Sequence, residues 1–149
     1  MAGERTEILL LGHDILDSVW IAEQLWSAYS GSIAIERIQT EDLFLQSLPR
    51  IVCHPPHVII SEVVIGWTLS RTSPEPEGYE ARHGMYGAGF ECRKRLLEQK
   101  FAGKAPEWIF FTGYDLENFT EITDVPFVQK LITSIPKLIK LIDATRSRE

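Results

Sequence analysis

Blocks of apolar residues punctuated by glycine, proline and polar caps set the rhythm of the chain. Residues 8–11, "ILLL", form a short apolar run stopped by Gly12. From about residue 17 to 29 the pattern turns helical, with Leu16, Trp20, Leu25, Trp26 and Tyr29 available for one broad buried face. Residues 33–38 read as a second strand, after which Thr40 caps a helix carrying Leu43, Phe44, Leu45 and Leu48; Pro49 and Pro55-Pro56 bracket its exit. The run "HVIISEVVI" (57–65) has the Val and Ile content of a strand covered on both faces. Strong helix formers fill 91–100, ending near Gly103. A fourth apolar strand spans 108–111, a short fifth spans 126–129, and Ser134 caps a last helix whose stripe is Ile135, Leu138, Ile139 and Ile142.

The resulting order is βαβαβ, a long excursion, then α, β, a short polar link, β and α. Such alternation predicts a parallel, doubly wound five-stranded sheet with helices on both faces. Sheets of this class place their ligands at the carboxyl ends of the strands, near the switch in strand order. At those ends stand Gly12, His13 and Asp14 after the first strand, Glu62 after the third, Thr112 and Gly113 after the fourth, and Lys130 after the fifth. An acid, an alcohol and an amine are thus expected to converge. Glu62 needs an explanation, because a carboxylate inside an apolar run is costly unless it is paired or the strand ends first, at Ser61.

Composition narrows the function. A chain of 149 residues with 44% hydrophobic content can bury one real core, and a single domain over 5–145 is expected, with an inserted loop at about 66–88. The net charge of −6 argues against nucleic acid, since phosphate binding draws on clustered Lys and Arg, and no apolar segment approaches a membrane span. Two cysteines, 53 and 92, suit a reducing compartment, so a cytoplasmic location is expected. Cys53, His54 and His57 would make a metal cluster only if the stiff Pro55-Pro56 connector let them converge, and no metal is expected there.

Five stretches in order, "ILLLGHD", "PPHVIISEVV", "GFECRKRL", "IFFTGYD" and "VPFVQKL", resemble the receiver domain of bacterial response regulators across nearly the whole chain. The resemblance implies a flavodoxin-like fold. It also implies that Glu62 stands at the phosphoacceptor position, that Thr112 and Lys130 line the site with Gly113, His13 and Asp14, and that Phe127 is the switch aromatic. Three departures then matter. Glu62 replaces the family's Asp and pushes the carboxylate roughly an ångström outward. Gly12 and His13 replace the acidic pair, so Mg²⁺, which wants several oxygens, is expected to bind weakly or not at all, and no cofactor is expected. Leu131 follows the lysine where the family has proline, which disfavours a cis bond by roughly 3 kcal/mol.

The expectation is an atypical pseudo-receiver, not an enzyme, in which Glu62 holds a permanent charge toward Lys130. It would signal through protein contacts with a partner such as a histidine kinase, or as a homodimer. The alternative is a flavodoxin-like domain that binds a small anion or retains residual phosphoryl chemistry. After the last helix only "ATRSRE" remains, so a stand-alone domain is expected. The loop at 66–88 is unusually long for the resemblance; Trp67, Tyr79, Met85 and Tyr86 are candidates for a partner anchor, Trp67 and Tyr86 foremost. The link 115–124 is short for a helix, which puts a fourth family helix in doubt. His13 reads as a solvent-facing loop residue.

Overall fold

A computed structural model describes residues 5–69, 74–80, 84–114 and 125–146. Five parallel strands, β1 (Thr6–Leu11), β2 (Ile33–Ile38), β3 (Val58–Ser61), β4 (Glu107–Thr112) and β5 (Phe127–Gln129), form one sheet in the order β2-β1-β3-β4-β5. The helices α1 (Ile15–Tyr29), α2 (Glu41–Cys53), α3 (Ala88–Leu97) and α4 (Ile135–Arg146) connect and cover them. This is the doubly wound, flavodoxin-like arrangement, with its switch point between β1 and β3.

Period-two alternation along the strands divides the core into two layers. Leu9, Leu11, Ile59, Trp108 and Phe110 face α2 and α3 and meet Phe44, Ile51, Cys92 and Leu96. Ile8, Leu10, Ile60, Ile109 and Phe111 point the other way, toward Ile21 and Leu25 of α1 and Leu138 and Ile142 of α4. Both faces of the central strands are therefore dry, as their unbroken apolar runs require.

Element boundaries differ from the expectations in instructive ways. Helix α1 starts two residues early because Asp14, extended at φ −66° and ψ 171°, accepts a hydrogen bond from the Asp17 amide (2.7 Å) and so caps it. Its buried positions are Ser18, Ile21 and Leu25, whereas Leu16 and Trp26, expected in the core, stand in solvent. Pro49 lies inside α2 and does not end it. Helix α3 begins at Ala88, three residues before the expected start. Gly89 explains the position: its amide donates to the Val63 carbonyl (2.9 Å), and a Cβ there would collide with the carbonyl oxygen of Glu62. The helix therefore rests directly on the backbone that carries Glu62.

Of the excursion, residues 66–69, 74–80 and 84–88 are described. Its start is tied down, since the first amides of α2, from Glu41 and Asp42, donate to the carbonyls of Gly66 (2.9 Å) and Trp67 (3.0 Å). Trp67 meets Tyr79 edge-on with ring centroids 5.7 Å apart, and Tyr79 is buried, so these two aromatics pack within the chain. Tyr86 is exposed; the Met85 side chain and the link 115–124 lie outside what is described. No helix among the described residues is long and apolar enough to cross a membrane.

Candidate functional site

The carboxyl ends of β1, β3, β4 and β5 meet at one rim. Strand β3 does end at Ser61, yet Glu62 does not reach open water: its side chain is only 12% exposed. Its amide continues the ladder by donating to the Leu11 carbonyl (2.9 Å), which aims the side chain into the crevice at the switch point. From β5 the Lys130 amide donates to the Thr112 carbonyl (2.6 Å), and the Lys130 ammonium, 9% exposed, forms an ion pair with Glu62 Oε1. The same ammonium reaches Asp17 Oδ2 at 2.8 Å. One cation thus bridges two carboxylates brought in from opposite sides of the crevice.

Asp17 was not singled out by the sequence, and Asp14 was. The two are separated by one helical turn, and the cap decides between them. Asp14 spends its carboxylate on the first turn of α1, while Asp17 projects from that turn toward Lys130. An acid at the third helical position after an acidic cap was the available signal.

His13 corrects a second expectation, for it is not a solvent-facing loop residue but is buried. Gly12, at φ +81°, turns the chain inward directly before it. Nε2 lies 3.1 Å from the Ile60 carbonyl, which can only accept, so Nε2 carries the proton and Nδ1 presents a lone pair. Desolvation, helped by the nearby Lys130 charge and opposed in part by the Ile60 hydrogen bond, pushes the imidazole pKa down to about 3. His13 is therefore neutral at ordinary pH. Its Nδ1 stands 3.7 Å from Glu62 Oε1 and, like Glu62 Oε2, is buried without a hydrogen-bond partner among the described residues.

The remaining site residues are placed as follows. Thr112 is fully buried, and its hydroxyl oxygen accepts from the Tyr114 amide (3.4 Å), so it serves the turn that follows β4. Gly113 is exposed beside it, with open space where a Cβ would stand. Phe127 packs partly buried against the Phe110 ring, 6.5 Å between centroids. Cys53 is exposed at the end of α2, and His57 Nδ1 accepts from the Glu7 amide (2.9 Å) at the opposite end of the sheet.

The space around the cluster is largely taken by side chains already in place. A side chain at Gly12 would put its Cβ 2.6 Å from Ile65 Cγ1 and 3.3 Å from Glu62 Cβ, so that space already belongs to Ile65. The ammonium of Lys130 also sits where a cation between Glu62 and Asp17 would sit. Among the described residues, no group of three His, Cys, Asp or Glu is placed to hold a metal ion.

No family model matches the chain, and a search of curated proteins finds no relative.

Proposed function

We propose that the chain is a receiver-like signalling domain that works through protein contact, with a phosphorylation site replaced by an internal ion cluster. The observation that carries this reading is the Lys130 ammonium held between Glu62 and Asp17. In a receiver, the lysine at this edge greets an incoming phosphoryl group. Here the lysine is already neutralised. Two carboxylates, one ammonium and a neutral imidazole leave the cluster with one net negative charge, which repels a phosphoryl donor where catalysis would have to neutralise it. Glu62 acts as a fixed internal anion, smaller in charge and acceptor number than a phosphoryl group.

Contact with a protein partner is supported by the rim itself. Leu16, Tyr114 and Leu131 are all exposed, next in sequence to Asp17, beside Gly113 and next to Lys130 respectively. Exposed apolar side chains adjacent in sequence to the residues of a buried ion cluster suit a protein surface better than a small anion, and the cluster's negative charge disfavours the anion further.

The test is incubation with acetyl phosphate or beryllofluoride, with and without Mg²⁺, read by intact mass and by the fluorescence of the four tryptophans. No added phosphoryl group and no fluorescence change are expected. A stable adduct on Glu62 would overturn the reading.

A further inference from the structure

The outward flank of α1 carries apolar residues that the fold leaves uncovered. Ile15, Val19, Ala22 and Trp26 follow one another at spacings of four, three and four, the seam of a helix that packs against another helix. Ile15, Val19 and Trp26 are 60%, 50% and 48% exposed, although the buried face of α1 is the neighbouring stripe of Ser18, Ile21 and Leu25. Beside this seam lies edge strand β2, and between them runs a groove of about 260 Å³. Val19, Ala22, Trp26 and Ile35 make its walls apolar, and Glu23 and Arg37 line it with opposite charges.

We infer that this groove is the contact surface of a symmetric dimer, occupied by the α1 flank of a second copy of the chain. A two-fold interface uses one patch twice and so must be complementary to itself. This patch meets the requirement in shape, with the half-exposed indole of Trp26 standing next to a hollow. It meets it in charge as well, because Glu23 and Arg37 belong to one groove and neither makes an ion pair among the described residues; Arg37 donates only to Gln39 Oε1 (3.1 Å). In the dimer, Glu23 of each copy faces Arg37 of the other, and Trp26 supplies the central anchor, a role that aromatics fill at interfaces. None of the ion-cluster residues Asp17, Glu62 and Lys130, nor His13 beside them, lines this groove, so loss of this contact would leave the phosphorylation result unchanged.

Sedimentation equilibrium of the full chain over a range of concentrations provides the test. A reversible monomer–dimer equilibrium is expected, weakened roughly thirtyfold or more by Trp26→Ala. Arg37→Glu and Glu23→Arg are each expected to weaken it about tenfold or more, and an equimolar mixture of these two variants is expected to associate again, because the swapped charges match across the two-fold axis. Both charged positions are exposed, so these variants keep the fold even if Trp26→Ala does not, as far-UV circular dichroism will show. A chain that stays monomeric throughout overturns the inference, even if the face captures some other helix. So does a dimer indifferent to Arg37→Glu and Glu23→Arg, or a mixture that fails to re-associate.

Discussion

Two ion pairs at opposite ends of the same sheet show how far burial, rather than geometry, decides what a charge is worth. Arg50 grips Glu36 in the better geometry, two parallel hydrogen bonds of 3.0 and 2.6 Å, but both side chains are half exposed. Lys130 has no such fork and divides one ammonium between Glu62 and Asp17, yet it and Glu62 are almost out of water. In solvent a lost partner is replaced by water at little cost, whereas in the crevice a lost partner leaves a bare charge. The first pair decorates the surface; the second is a condition of the fold at that rim.

The sharpest way to break this contrast is Lys130→Met. It leaves Glu62 buried against Asp17 with no counter-charge, and a loss of about 3–5 kcal/mol is expected in urea unfolding at neutral pH. A loss below about 1 kcal/mol would place Lys130 in the same class as Arg50.

Next in size is an attempt to supply an acidic ligand at the rim by Gly12→Asp. The left-handed φ of +81° costs about 1 kcal/mol for any residue with a Cβ, and displacing Ile65 adds about 1–3 kcal/mol of overpacking. Adding Glu62→Asp to this variant is therefore expected not to create Mg²⁺ binding, as fluorescence titration would check. A tight Mg²⁺ response from the double variant would mean that Ile65 yields easily and that the crevice is less committed than its packing indicates.

How much of this could be read from the residues alone follows from the range of the interactions involved. The sheet was legible because both faces of its strands are buried and the sequence writes that as unbroken runs such as "HVIIS". The meeting of Glu62 with Lys130 was legible too, since parallel strands fix which ends share a rim. Asp17 escaped because choosing between it and Asp14 requires knowing which one caps α1. His13 escaped because its burial depends on the inward turn at Gly12 and on the Ile60 carbonyl, a partner 47 residues away. The flank of α1 misled for a related reason: Leu16 and Trp26 satisfy a helical period, and period alone does not say which of two adjacent stripes meets the sheet.

His13 extends the comparison to a neutral group in the same dry crevice. Its folded pKa of about 3 lies below the ordinary 6.5, so between these values the unfolded chain takes up a proton that the folded chain refuses. Stability should therefore be fully present above about pH 6.5 and fall as the pH is lowered, with His13 contributing a slope of up to about 1.4 kcal/mol per pH unit. His13→Gln removes this proton uptake. Urea midpoints measured from pH 7 to 4 should fall less steeply in the variant than in the parent. Parallel limbs would mean that the imidazole is not held neutral, and that Lys130 and Glu62 admit water beside it.

The smallest effect belongs to the exposed pair. Arg50→Gln removes the fork to Glu36 but keeps part of the aliphatic stem. The expected loss is under about 1 kcal/mol, because both partners rehydrate and the pair is already screened. Salt separates the two regions more cleanly than magnitude does. Over a Debye length that shrinks from roughly 10 Å at 0.1 M to 3 Å at 1 M, the Arg50 effect should fade toward zero while the Lys130→Met deficit persists, since ions cannot reach a pair enclosed by the crevice walls. If added salt erased both, Glu62 would be as accessible to water as Glu36, and its role as a fixed internal anion would lose its physical basis.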